Sequence, residues 1–139
     1  MRTVEIFEIE FHAEDGARLV LMHDAAHPDE LLLRLHEGPV SSAVLLAVDE
    51  ARALAVLTGE YLARPSRDDL GLTFREGKGS QIHFRPDVRP EPHRRVLYVR
   101  HETSDGTTVS MHLGLDETKR LGMVIGPLFQ DAPTAPPPR

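Results

Sequence analysis

The chain has 139 residues, of which 40% are hydrophobic and 27% charged, and its formal net charge is −6 at pH 7. This length predicts one domain, and the lack of cysteine excludes disulfides, thiolate metal sites and cysteine nucleophiles. No apolar run reaches the length of about 20 residues that a membrane-spanning helix needs. The acidic N-terminal segment is unlike a secretory signal. We therefore expect a soluble cytoplasmic protein with no membrane partner.

The first half of the chain predicts four strands and a helix. Short segments in which apolar and polar residues alternate are separated by turn residues such as Asp15-Gly16. The predicted strands span residues 5–11, 18–22, 31–35 and 44–48. Asp49 is a favourable N-cap, and apolar residues at helical spacing predict a helix over residues 50–62.

The second half predicts the same order of elements. Its strands are expected at residues 70–75, 81–85, 94–101 and 107–115. Between the second and third of these, Pro86, Pro90 and Pro92 are expected to form a loop that does not pair. Asp116 is expected to cap a helix that runs to about residue 129, with Pro127 shortening it. Residues 130–139 are proline-rich and predict a disordered tail.

Sequence similarity between the halves predicts an internal repeat. Val48-Asp49-Glu50 matches Leu115-Asp116-Glu117 at a separation of 67 residues. Residues 34–37 match residues 99–102 at a separation of 65, which makes His36 and His101 equivalent. We therefore predict an α+β fold of tandem ββββα repeats, with two antiparallel sheets and two helices. The single domain spans residues 1–129, and its pseudo-repeats span residues 1–64 and 68–129.

Charge is distributed unevenly between these segments. Residues 1–61 contain 4 basic and 12 acidic side chains, whereas residues 62–104 contain 9 basic and 6 acidic ones. Strand alternation places several of these basic residues, together with one tyrosine, on the outer face of the second sheet or at its rim. Arginines there could bind phosphates while tyrosine stacks on a base. The predicted nucleic-acid-binding residues are Arg75, Lys78, His83, Arg85, Arg94, Tyr98 and Arg100.

The outer face of the first sheet is apolar at its centre. Val20, Met22, Leu32 and Leu45 are predicted to lie there, with Glu8 and Glu10 at one edge. Exposed apolar patches usually mark interfaces, so these four residues predict the contact of a homodimer. The alternative is that the inward and outward assignments are reversed, or that a helix covers this face.

The sequence indicates neither catalysis nor a cofactor. His23 and His27 are four residues apart, but Pro28 places them in a loop, so no metal site is predicted. Ser41-Ser42 has no nucleophile-elbow context, and the glycines around Lys78 lack the sequence of a phosphate-binding loop. Glu8 and Glu10 share a face without a predicted cleft. We therefore predict a protein that is not an enzyme.

Two known groups share this order of elements. The segment from Asp105-Gly106 to Leu113, followed by Asp116-Glu117 and an amphipathic helix, resembles the Whirly and PUR-repeat single-stranded nucleic-acid binders. The Whirly lysine-rich strand motif is absent, and the first half lacks the basic and aromatic positions of PUR repeats. The segment from Asp24 to Asp29, followed by Leu35-His36-Glu37-Gly38, is similar to the SsgA-like regulators of sporulation and septation, although strand 70–75 is extra here.

These resemblances imply a small binding protein with one of three functions. The leading hypothesis is binding of single-stranded DNA or RNA through the basic second sheet. The second is recruitment of a protein partner, such as a division protein, through the acidic first half. The third is a structural homodimer without a separate ligand. An ordinary solvated strand face is the alternative explanation for the charges of the second sheet.

Overall fold

The computed structural model describes residues 6–66, 69–90 and 93–129. The first half forms strands β1 (Ile6–His12), β2 (Arg18–Asp24), β3 (Glu30–Glu37) and β4 (Val40–Ala47), followed by helix α1 (Val48–Ala63). The second half forms β5 (Leu72–Glu76), β6 (Ser80–Pro90), β7 (His93–Glu102) and β8 (Thr108–Gly114), followed by helix α2 (Leu115–Phe129). Each set of four strands is an antiparallel sheet in chain order. The predicted arrangement of two ββββα units is confirmed, while the predicted tail lies outside the described residues.

Period-two alternation separates an inner from an outer face in both sheets. In β3, Leu31, Leu33 and Leu35 are fully buried, whereas Leu32 and Arg34 point to the other side and are partly or fully exposed. Each fully buried leucine contributes about 1.5–3 kcal/mol relative to an exposed one. The inner faces of both sheets join both helices in one buried cluster. The two halves therefore share a core.

The strand registers correct the predicted repeat by one residue. Leu33 is opposite Val44, and Val99 is opposite Met111. Val44 and Met111 are 67 residues apart, the same separation as Val48 and Leu115. Their partners in the third strands, Leu33 and Val99, are therefore 66 residues apart rather than 65. The buried residue Leu35 therefore corresponds to His101, and the predicted equivalence of His36 and His101 is wrong. A shift of one residue moves a side chain to the opposite face of a sheet, and His36, opposite Arg18, indeed lies on the outer face.

Both helices begin earlier than their predicted caps. Helix α1 starts at Val48, and the Glu50 carboxylate accepts a hydrogen bond from the Ala47 backbone N–H at 3.0 Å. Asp49 and Asp116 thus lie inside the first turns of the helices rather than at the N-caps. In the first turn their negative charges still interact favourably with the helix dipole. Helix α2 continues through Pro127 to Phe129. Pro127 follows Gly126, whose lack of a Cβ relieves part of the usual clash before proline.

The predicted proline loop is instead the end of a long hairpin. Pro86 is opposite Leu97, and Pro90 is opposite His93. Strand β5 pairs with β6 only as far as Phe84, so the following residues of β6 form a sheet edge on that side. Proline is tolerated there because its missing N–H interrupts no ladder on the open side. Pro92 lies outside the described residues.

Groups from each half form hydrogen bonds with backbone groups at strand edges of the other half. The backbone N–H of Leu45 in β4 donates to Glu76 at 3.2 Å. In β8, the Ser110 N–H donates to Glu37 at 3.2 Å, and the His112 carbonyl accepts a hydrogen bond from the Glu14 N–H at 2.9 Å. These contacts satisfy backbone groups that an open sheet edge would leave to solvent.

Candidate nucleic-acid interface

Four of the seven predicted binding residues line one shallow depression on the second sheet. The depression has a volume of about 200 Å³ and is lined by His83, Arg85, Tyr98 and Arg100 together with Glu102. The register explains this grouping, because His83 is opposite Arg100 and Arg85 is opposite Tyr98 on neighbouring strands. We refer to the outer face around this depression as the Tyr98 face; its members are Thr73, Arg75, Gln81, His83, Arg85, Asp87, Tyr98, Arg100, Glu102, Ser110 and His112.

Tyr98 lies between two other planar side chains in a row across three strands. The Arg85 guanidinium carbon lies 5.0 Å from the centroid of the Tyr98 ring, within the range of a cation–π contact. On the neighbouring strand the His112 ring centroid is 5.1 Å from that of Tyr98, with 48° between the ring planes. Planar groups from three adjacent strands thus lie in one row, in which the Arg85 guanidinium lies over the Tyr98 ring and the His112 ring is tilted against it. Aromatic rings and guanidinium groups are the side chains on which nucleic-acid bases stack.

Arg100, one of the predicted basic residues, is held in an ion pair. The Arg100 Nε lies 2.9 Å from Glu102, whose other carboxylate oxygen accepts a hydrogen bond from the Gln81 side chain at 3.1 Å. The Gln81 hydrogen bond, helped by the Arg100 charge, lowers the pKa of Glu102. Glu102 therefore presents an ionised acceptor at the rim of the depression, beside an arginine that it orients.

The remaining predicted residues lie outside the depression. Arg75 is exposed at the end of β5, opposite Gln81, and Lys78 is exposed in the following turn. Arg94 lies near the start of β7 and forms a 2.6 Å ion pair with Glu14. It lines a different hollow, of about 370 Å³, with the first turn of α2. The structure thus separates Arg94 from the other candidates.

Two acidic residues that sequence reasoning did not connect to this surface flank His112. Asp15, from the turn after β1, approaches the His112 Nδ1 at 3.2 Å, and Asp87 approaches its Nε2 at 3.7 Å. Alternation along β8 placed His112 outward, but its contact with Tyr98 depends on the β7–β8 register. The contact with Asp15 joins residues 97 positions apart, and no local pattern signals it.

The four residues predicted for a dimer contact lie on the outer face of the first sheet, as alternation requires. Met22 is opposite Leu32, and Leu32 is opposite Leu45, so these three side chains form one row across three strands. Leu45 is 45% exposed, whereas Val20 is only 7% exposed and offers little surface. Helices α1 and α2 pack on the inner side, so neither helix of the described chain covers this face.

The histidine-rich segment of the first half does not gather metal ligands. In the described ranges, no three His, Asp or Glu side chains come close enough together to hold a metal ion. The His23 ring instead packs edge-on against Phe129, at 5.4 Å between centroids. Neither helix of the described chain is long and apolar enough to span a membrane.

Comparison with solved structures identifies the fold. A structure from work on SsgB, whose mutations correlate with longitudinal cell division during sporulation of Streptomyces coelicolor, matches with a TM-score of 0.51 at 13% identity, covering 91% of this chain and 89% of that chain. The plant transcriptional regulator PBF-2 matches with a TM-score of 0.52 at 9% identity, covering 93% and 90%. No family model and no curated protein matches the sequence. The chain therefore has the fold of SsgB and of the Whirly-type regulator PBF-2, as both resemblances implied.

Proposed function

We propose that this protein is a non-enzymatic binding protein that takes single-stranded nucleic acid on the Tyr98 face. The observation that carries the proposal is the clustering of Arg85, Tyr98 and Arg100 around one depression. A base stacks on the Arg85–Tyr98–His112 row, and exposed guanidinium groups contact the neighbouring phosphates. The fold similarity to a plant transcriptional regulator supports a binding role without fixing the ligand.

The overall negative charge shapes the expected mode of binding. With a net charge of −6, long-range attraction of a polyanion is weak. The Tyr98 face contains only a few cations, and Glu102 balances one of them. We therefore expect a short binding site in which stacking contributes more than phosphate contacts, together with a shallow dependence on salt.

Fluorescence anisotropy with labelled single strands of mixed sequence, DNA and RNA in parallel, tests the proposal. Tyr98→Ala is expected to weaken binding by about 5-fold to 150-fold, since stacking is worth about 1–3 kcal/mol per base. Tyr98→Phe keeps the ring and is expected to bind like the wild type. Changing Arg75, Arg85 and Arg100 together to Ala is expected to weaken binding and to reduce the salt slope by roughly one for each phosphate that an arginine no longer neutralises.

A matched control removes cations elsewhere. Arg64→Ala combined with Lys119→Ala removes one exposed positive charge at the C-terminal end of α1 and one in α2. Both sheets keep all of their side chains. This variant is expected to bind like the wild type. If the wild type does not bind either strand at low salt, the proposal is wrong, and a protein partner becomes the leading hypothesis. If it binds and the Tyr98→Ala variant binds equally well, the site assignment is wrong.

A further inference from the structure

The outer face of the first sheet carries charges of opposite sign at the two ends of its apolar row. Along β3 the outward residues are Glu30, Leu32 and Arg34, in that order. Leu32 lies in the row with Met22 and Leu45, and Ile6 is 53% exposed beside it on the same face. We call this surface the Leu32 face. Along the strand direction it is acidic, then apolar, then basic.

The two charges that flank Leu32 have no ion-pair partner among the described residues. Arg34 is exposed, and no carboxylate in the described ranges forms an ion pair with it. Glu30, on the other side of Leu32, likewise forms no ion pair with a cation of the described ranges. On the same face, in contrast, Arg18 is paired with Glu10 at 2.9 Å. The Leu32 face thus presents an acid and a base on the two sides of Leu32, and a further exposed acid, Glu8, at the β1 end of the apolar row.

A hollow of about 210 Å³ lies at the acidic end. Its apolar lining comes from Ile6, Met22, Leu32 and Leu45, while Asp24, His27 and Glu30 form its polar lining. An apolar floor with carboxylates at the rim suits an arginine side chain, because the aliphatic stem packs on the floor and the guanidinium meets the acids.

We propose that the Leu32 face binds a second copy of this chain in a two-fold homodimer whose axis runs across the strands along the row Met22–Leu32–Leu45. A two-fold contact places the same patch on both partners. With the axis in this direction, each Leu32 meets its own copy, and Glu30 of each chain faces Arg34 of the partner subunit, giving two acid–base contacts. Glu8, opposite Met22 in β1, meets its own copy at the exposed edge of the contact. An axis parallel to the strands would instead place acids over acids. Charge complementarity selects the first arrangement.

Reciprocal charge reversal tests this geometry. Sedimentation equilibrium of the wild type is expected to show a dimer. Arg34→Glu and Glu30→Arg are each expected to raise the dimer dissociation constant about tenfold or more, because like charges then face each other across the axis. The double variant, with both changes, restores opposite charges and is expected to dimerise like the wild type.

Mixing the two single variants gives a stricter test. One variant has two acids around Leu32 and the other has two bases, so each is expected to be monomeric alone and to form a heterodimer with the other. This result requires the two charges beside Leu32 to face charges of the partner, and only an arrangement in which position 30 faces position 34 of the partner also predicts that each single variant dimerises less well than the wild type. Lys119→Glu reverses a charge on the exposed side of α2 and is expected to leave the mass unchanged, while circular dichroism confirms that each variant is folded.

Two results would overturn the proposal. One is a wild type that remains monomeric at every concentration tested. The other is a dimer whose strength does not change with the reversals, or that the paired reversals fail to restore. The experiment is independent of the Tyr98 face, which lies on the other sheet, so nucleic-acid binding and dimerisation succeed or fail separately.

Discussion

His101 is a histidine at a position where the other repeat has a fully buried leucine. It is 1% exposed, and its two ring nitrogens lie 2.7 Å from the Ser42 hydroxyl and 3.3 Å from the Ser80 hydroxyl. Ser42 belongs to β4 and Ser80 to β6, so the ring joins the two halves. Burial lowers the pKa of His101, and the nearby Glu76 charge opposes this only in part.

This lowered pKa predicts a loss of stability in mild acid. Below the ordinary histidine pKa of about 6.5, the unfolded chain binds a proton that folded His101 does not, so the free energy of unfolding decreases as the pH falls. His101→Leu is expected to remove this part of the pH dependence between about pH 7.5 and about pH 5. Urea denaturation followed by circular dichroism measures it. His12→Gln, at an exposed histidine, serves as the control; equal pH dependence in the wild type and His101→Leu would refute the expectation.

At the scale of elements, the crossing of α1 and α2 depends on a glycine. A Cβ added at Gly122 would lie 3.2 Å from the Thr58 Cβ and would collide with its hydroxyl, which donates a hydrogen bond to the Ala55 carbonyl at 2.7 Å. Thr58 is 1% exposed, so it has little space in which to move. The two helices therefore approach each other closely at this point.

Gly122→Ala is expected to destabilise the protein even though alanine favours helices. Overpacking a buried contact costs about 1–3 kcal/mol, against a gain in helix propensity of about 1 kcal/mol. Thr58→Ala in the same chain removes the colliding hydroxyl and is expected to recover part of the loss. Gly59→Ala is the control, because an added Cβ there meets nothing within 4 Å. Thermal unfolding compares the variants, and a Gly122→Ala protein as stable as Gly59→Ala would contradict the close crossing.

Strands and helices were largely predictable from the sequence because alternation and helical spacing act locally. Leu32 lies outward and Leu31 and Leu33 lie inward, as one of the two face assignments that the sequence left open predicted. The errors arose where distant residues decide the outcome. Pro86 is tolerated within a strand because β5 ends before reaching it, and Asp15 reaches His112 only once the turn between β1 and β2 packs against β8. Four of the seven predicted site residues share one depression, but the position of Arg94 depended on Glu14, 80 residues away.

For the whole molecule, the shared core predicts that the two repeats unfold together. Tyr61 in α1 is fully buried and donates a hydrogen bond to the Val96 carbonyl in β7 at 2.8 Å, and Arg52 donates to the Phe129 carbonyl at 2.9 Å. Because each half completes the core of the other, we propose one domain rather than two. Urea unfolding is expected to show a single transition with coincident circular dichroism and tyrosine fluorescence. Separate transitions would show that the repeats are independent domains.

The sealed strand edges also limit how this protein can meet other chains. A peptide that adds itself as an extra strand needs a row of open N–H and carbonyl groups, but Glu76 occupies such a position on β4, and Glu37 and Glu14 occupy such positions on β8. The same hydrogen bonds hinder the edge-to-edge pairing of strands from which fibrils grow. Glu76→Ala or Glu37→Ala removes one of these contacts from its strand edge, and is therefore expected to favour strand addition and self-association along that edge.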